Sequence, residues 1–421
     1  MSITTMSDTD IYGHIAQNLE VRENEKNKFG EVFTSRVLID ELFDNLPASS
    51  WTNPKLTWLD PCSGKGNFLA LAYIRLMKGL SKNIRDKVKR SQHILTNMLY
   101  MIEINSSSVQ ELHKLFGKDA NISNADFLDN NKKWEKDLGQ KQFDIVVGNP
   151  PFQVSKSNKY EGSVGNRTLW DKFLDNIFKE DLIKSKGYLA FINPSNWRRP
   201  EHRIYTLLTR ENTLKYLHIY GKKDGQTLLG AQTRFDLYIV QEGSPNKTQK
   251  THIIDEKNKK HILDVSSWPF LPNYSYTKIK SIMVPVTKGI PVIFSAGDYD
   301  ARKLSKKRTK NHRFSVVHNI TQKGLGIRFA KEKKNAQIGV PKVLLNFNEQ
   351  QYPYNDYRGE YGMSQLTFGI PIKSKKEGEQ WVSIIESPTF TEILRATKWG
   401  AFQTDYRMFK YFTPELDKYA V

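Results

Sequence analysis

The chain has 421 residues, a formal net charge of +19 and one cysteine, a length that implies two domains rather than one. The single cysteine excludes an internal disulfide, and no apolar run is long enough to span a bilayer. The polar start Met1 to Asp10 lacks the basic-then-apolar pattern of a signal peptide, so a soluble protein of a reducing, cytoplasmic compartment is expected.

In chain order, residues 1–26 are polar and aperiodic and read as a flexible arm with one short helix. Thr34 or Ser35 can cap a helix whose apolar face is Val37, Leu38, Leu42 and Phe43, ending before Pro47. Leu56 to Asp60 reads as a short strand, followed by the turn Pro61-Cys62-Ser63-Gly64-Lys65-Gly66 and a helix from about Phe68 to Leu80. A basic helical stretch precedes the next strand, Met98 to Ile104, and a helix carrying Val109, Leu112 and Leu115 comes after it. A short strand near Ile122 leads to Asp126, and the apolar run Phe143 to Gly148 reads as a buried strand. A polar loop, a helix with Leu169, Phe173 and Ile177, and strands at Tyr188 to Ile192, Tyr216 to Tyr220 and Phe235 to Val240 complete the pattern. Strands alternating with helices imply a mostly parallel sheet covered by helices.

At Gly243 the alternation stops and the chain becomes turn-rich and aromatic, so residues 27–243 and 244–421 are expected to be separate domains. Residues 244–421 hold 30 Lys and Arg against 16 Asp and Glu, an excess of +14, leaving 34 against 29, or +5, for residues 1–243. A basic domain beside a nearly balanced one suggests a polyanion partner, although a solvated lysine-rich surface has the same composition. The densest cationic run contains Lys306, Lys307, Arg308 and Lys310. Such residues would contact phosphates without reading sequence.

The Phe143 to Gly148 strand ends in Asn149-Pro150-Pro151-Phe152. Two prolines fix two φ angles and remove two backbone donors, which leaves a rigid tip of acceptors beside a flat apolar ring. An amine on a planar ring suits that tip, with its hydrogens on the Asn149 side chain and the Pro150 carbonyl and its ring against Phe152. The turn around Gly64 and Gly66 is neither a dinucleotide fingerprint nor a P-loop. It gains meaning from acids at three successive strand ends, Asp60, Glu103 and Asp126. An acid there can meet a cation or accept from ribose hydroxyls, and Asp126 with the backbone N–H of Phe127 can read the edge of an adenine.

The set Phe29-Gly-Glu-Val-Phe-Thr34, Asp60-Pro-Cys-Ser-Gly-Lys-Gly-Asn-Phe68, Glu103, Asp126-Phe127 and Asn149-Pro-Pro-Phe152 resembles the S-adenosylmethionine-dependent DNA adenine-N6 methyltransferases of the gamma arrangement, in the Eco57I-like and TaqI-like branch. The resemblance covers roughly Lys28 to Val240 and is only architectural beyond. It implies a Rossmann-like α/β domain with a seven-stranded, mostly parallel sheet, then an α+β target-recognition domain. It places Thr34 at the methionine carboxylate of the cofactor and Asp60 with the Cys62, Gly64 and Gly66 turn at its amino-acid part. Glu103 then falls at the ribose, Asp126 with Phe127 at the adenine, and Asn149 to Phe152 at the target amine, with Asn149 also among the cofactor contacts. Ser35 stands where that family usually has proline, and Pro61-Cys62-Ser63-Gly64 replaces Pro-Ala-Cys-Gly.

The implied reaction is methylation of a flipped adenine in duplex DNA, needing no metal; Arg167, Arg198 and Arg199 are candidates for the DNA backbone. A restriction endonuclease is the companion such a system would have. Cytosine-C5 transfer is excluded on the residues, because the only cysteine lies in the cofactor turn. Cytosine-N4 transfer, a group that commonly has Ser in place of Asn149, RNA base methylation, glutamine methylation of a protein and a catalytically dead DNA-binding relative remain the rival readings at this stage.

Overall fold

The computed structural model describes residues 2–19, 34–153, 168–245, 249–295, 297–348, 350–400 and 404–419. The chain divides into two compact units, one of Met1–Trp197 with Arg203–Ser267 and one of Arg198–His202 with Trp268–Val421.

The first unit is built on one nine-stranded sheet. Its strands are β1 (Trp58–Asp60), β2 (Leu99–Glu103), β3 (Asn121–Asn124), β4 (Phe143–Gly148), β5 (Ile183–Pro194), β6 (Thr213–Tyr220), β7 (Phe235–Gln241), β8 (Thr251–Ile254) and β9 (Lys260–Leu263). They lie in the order β3-β2-β1-β4-β5-β7-β6-β8-β9. Strands β1 to β5 pair parallel to one another in the order β3-β2-β1-β4-β5. Strand β7 runs antiparallel to both β5 and β6. The carboxyl ends of β1, β2, β4, β5 and β6 therefore share one edge of the sheet, where ligands of open α/β folds bind.

Central strands covered on both faces are nearly continuous apolar runs, and all three residues of β1 and all five of β2 are buried. Helix Asn67–Gly79 buries Phe68 through Ile74 and Leu76. Helix Trp170–Lys179 instead buries a single stripe of Trp170, Phe173, Leu174 and Ile177, the spacing of one helical face.

Three expectations are corrected here. The N-terminal segment holds a 12-residue helix, Asp8–Leu19, and Ile3, Ile11 and Ile15 are at most 1% exposed within the main core. The sheet has nine strands, because the β8–β9 hairpin adds to β6. The boundary accordingly moves from residue 243 to Ser267, and residues 198–202 join the second unit. Among the described residues, no helix is long and apolar enough to cross a membrane.

The second unit is α+β. Strands β10 (Phe314–Thr321), β11 (Gly324–Ala330) and β14 (Gly362–Met363) form one three-stranded sheet, and β12 (Lys342–Asn346), β13 (Tyr354–Asp356) and β15 (Thr367–Pro371) form another. Helices Lys375–Glu386 and Pro388–Ala396 follow, each with a serine side chain capping its first turn.

Lys342 is wholly buried, and its Nζ donates to Asp356 Oδ2 at 2.9 Å, the Gln337 carbonyl at 2.9 Å and the Val340 carbonyl at 3.0 Å. Asp356 in turn accepts from the amides of Glu360 and Tyr361. Removing one partner strands the other charge in the core. Lys342→Ala is therefore expected to cost about 3–5 kcal/mol in urea denaturation, and Lys342→Met combined with Asp356→Asn less than the single variant.

Candidate active site

Strand β1 delivers Asp60 to the carboxyl edge, 1% exposed, and the chain turns at once. The Cys62 amide donates to Asp60 Oδ1 at 3.1 Å, and Ser63 Oγ donates to the Asp60 carbonyl at 2.9 Å. The Ser63 amide donates to the Ile102 carbonyl at 3.0 Å, fastening the turn onto β2. Gly64 (φ 50°) and Gly66 (φ 84°) both adopt left-handed backbone, which L side chains disfavour. At Gly66 a Cβ would also fall 2.6 Å from the Phe116 ring, whereas at Gly64 it would meet nothing within 4 Å. The turn is packed beneath and open above.

Glu103, at the end of β2, receives the amide of Gly64 on one carboxylate oxygen and that of Asn105 on the other, each at 2.7 Å. Burial pushes its pKa up, against the hydrogen bonds from Asn105, Gly64 and Ile104. Burial likewise pushes Asp60 up to about 7, with Glu103 adding repulsion and the Cys62 amide opposing. The Cys62 thiol is also pushed up, by burial first and then by Asp60 and Glu103, the opposite of an activated nucleophile.

Asp126 Oδ1 accepts from the Leu128 amide at 2.9 Å and so shapes its own turn. The Phe127 ring faces the core, stacked on Phe173 at 5.2 Å between centroids, so only its backbone remains for a ligand. Ile104, which sequence reasoning passed over, is 52% exposed directly after Glu103. It puts an apolar face on the same edge; the signal was an isoleucine following a strand-end acid.

Strand β4 brings Asn149 to this edge. Its last residue, Gly148, runs so close to β1 that a Cβ there would lie 3.2 Å from Asp60 Oδ1. Asn149 Nδ2 donates to Thr34 Oγ1 at 3.0 Å, which engages the donor end of the amide and so sets its carbonyl end as the acceptor. Thr34 was expected at the cofactor carboxylate; in this structure it contacts the Asn149 side chain. It is 4% exposed, and its carbonyl accepts from Asn67 at 3.5 Å. Pro150 is buried, Pro151 partly so, and Phe152 keeps 9% exposure at the margin of the core.

Also missed was a cluster on β6. Glu41 accepts from Tyr216 at 2.7 Å, from His218 Nδ1 at 2.5 Å and from Tyr220. Burial raises the Glu41 pKa, and hydrogen bonds from His218, Tyr220 and Tyr216 outweigh it, leaving the group below its usual range. Tyr220 stacks on Phe235 at 4.6 Å with 4° between the rings, at the same carboxyl edge.

The candidate phosphate contacts divide. Arg167 lies outside the described residues. Arg198 is corrected: it is wholly buried, and its guanidinium donates to the Leu271 carbonyl at 2.9 Å, the Pro272 carbonyl at 3.0 Å and Asn273 Oδ1 at 2.8 Å. It binds the second unit together instead of facing solvent. Arg199 is half-buried, its pKa lowered by burial and then by Arg407. Lys306, Lys307, Arg308 and Lys310 are exposed.

Chemically, this edge combines a buried acid pair beneath an open glycine turn with an oriented amide acceptor and a proline-rigid tip. Residues 69–225 match the model of the Eco57I restriction-modification methylase family. An adenine-specific methylase of Mycoplasma pneumoniae is 25% identical, covering 46% of this chain and 61% of its own length. The type II methyltransferase M.VspI of a Vibrio species is 28% identical, with 40% and 38% covered. The chain thus spans between two fifths and about three fifths of these curated relatives. Among solved structures, the type IIL restriction-modification enzyme MmeI in complex with DNA has a TM-score of 0.52 at 12% identity, over 97% of this chain and 70% of that one. The fold is thus shared across nearly the whole chain, and residues 69–225 are similar to the Eco57I restriction-modification methylases.

Proposed function

We propose that the chain transfers the methyl group of S-adenosylmethionine to the N6 amine of an adenine flipped out of duplex DNA. The observation that carries this reading is the Asn149 amide, oriented by Thr34 at 3.0 Å and followed by Pro150-Pro151-Phe152. When bound, S-adenosylmethionine supplies an electrophilic methyl on a cationic sulfur. The residues here fit it: the buried acid Asp60 suits the cation, the open turn at Gly64 admits its amino-acid part, and Glu103 with Ile104 offers an acceptor and an apolar face.

An adenine amine is a weak nucleophile because its lone pair is delocalised into the ring. The Asn149 side-chain carbonyl and the Pro150 carbonyl would take its two hydrogens, localise the lone pair and aim it. The N–C bond would form as the S–C bond breaks, with S-adenosylmethionine giving up its methyl and keeping the bonding pair as a neutral thioether, and the extra proton on nitrogen would pass to water. Phe152 borders the ring of the flipped base. Exposed Lys306, Lys307, Arg308 and Lys310 would hold phosphates. The relatives named as restriction-modification and adenine-specific methylases support DNA over RNA or protein as substrate.

Removal of the acceptor in Asn149→Ala is expected to slow turnover of labelled methyl into duplex DNA by about 10²- to 10³-fold, with S-adenosylmethionine still bound. Unchanged turnover in this variant contradicts the assignment.

The Asp60 pKa near 7 gives binding a pH dependence. The carboxylate, which attracts the cation, is depleted below that pH, so affinity for S-adenosylmethionine rises as pH rises through 7. Calorimetry at pH 6 and pH 8 should differ by about 10-fold for the wild type, and Asp60→Asn should remove most of that difference. Equal slopes for the two proteins would exclude Asp60 as the titrating group.

A further inference from the structure

Beyond its pairs with β14 at Val316 and Val317, β10 continues with β11 as a two-stranded ribbon. A two-residue turn, Gln322-Lys323, closes it between the paired Thr321 and Gly324. The inner face is apolar: Val317 and Ile320 pack with Leu344 and Met363, and Leu325 lies against them. Pairing of Asn319 with Gly326 and Thr321 with Gly324 puts these four residues, and Arg328, on the other face. Asn319 and Thr321 are exposed there, and Arg328 partly so.

That outer face is flat for a specific reason. A Cβ on Gly326 would lie 1.6 Å from Asn319 Oδ1, so the Asn319 amide lies across the glycine, and any side chain there would displace it. Glycine inside a strand marks a close approach. The register shift between Val317 and Asn319 is a bulge at His318, a device that bends a strand and re-aims its side chains. Beside the ribbon, Ser305 and Phe329 exchange both backbone hydrogen bonds at 2.9 Å. Exposed Lys306, Lys307 and Arg308 follow Ser305 directly in the chain.

A flat face bearing an amide, a hydroxyl and a guanidinium, flanked by cations, has the chemistry of base-edge readout. The major groove of duplex DNA admits a two-stranded ribbon, an asparagine amide matches adenine and an arginine matches guanine. Phe314 and the buried Val316 and Ala330 cover the far end of this face, and its open end, Asn319, Thr321, Gly324, Gly326 and Arg328, carries no aromatic ring to stack on an unpaired base. We propose that Asn319, Thr321 and Arg328 read base edges in the major groove of the methylated site, with Lys306, Lys307 and Arg308 on the adjoining phosphates. This rests on the proposed DNA methylation and assigns its sequence specificity.

The test expresses the full chain in a host free of adenine methylation and maps N6-methyladenine along the genome by long-read sequencing. Wild type with no modified adenine would fail the underlying reading, not the ribbon. Given a wild-type motif, Asn319→Ala, Arg328→Ala and the near-isosteric, surface Thr321→Val should each relax one motif position, lowering discrimination there by roughly 5- to 150-fold. Lys307→Ala should keep the motif, weaken binding to all duplexes alike and lower the salt slope by about one. Retention of the wild-type motif at full stringency by all three ribbon variants overturns the proposal. So does a uniform loss of methylation in Thr321→Val at unchanged melting temperature.

Discussion

Two buried carboxylates at neighbouring strand ends, Asp60 and Glu103, set the terms for this edge of the fold. Each is costly to bury, and the cost is offset by backbone amides that only the intervening turn can provide. Gly64 reaches Glu103 and Cys62 reaches Asp60, which requires left-handed backbone at Gly64 and Gly66 and parallel pairing of β1 with β2. Strand β4 then passes on the other side of β1 and delivers Asn149 to the same edge. The proposed cofactor and amine sites are adjacent because the strand order makes them so.

Much of this was legible in the sequence because strands buried on both faces are unbroken apolar runs, and a polar residue closing such a run stands out. Asp60, Glu103 and the Asn149 tip could be placed on that ground alone. Other features had no local signal. Strands β8 and β9 are four residues each, β8 with only Thr251 and Ile253 buried and β9 with none, and resemble loop sequence. Arg198 and Arg199 read as surface arginines, yet the partners of Arg198 lie 73 to 75 residues further along the chain. Thr34 meets Asn149 across 115 residues, a contact that no spacing rule could supply. The N-terminal helix was read as loose because only a few isoleucines in a polar stretch anchor it.

The two units divide the proposed work. In the first, a rigid sheet edge would hold an electrophile and a planar amine, and catalysis would come from position and electrostatics. In the second, the wholly buried Lys342 and Arg198 are spent on internal order, and the exposed cations follow Ser305 at the edge of β11. Net charge therefore overstates how many basic residues face a partner, and placement identifies those that do.

The central claim is the identity of the methylated group. Duplex DNA, ribosomal RNA and a cytosolic protein mixture can each be incubated with the full chain and S-adenosylmethionine carrying a heavy methyl, then digested and resolved by mass spectrometry. The account predicts heavy N6-methyldeoxyadenosine from duplex DNA. Heavy methyl appearing instead on a cytosine amine, an RNA base or a glutamine would contradict it.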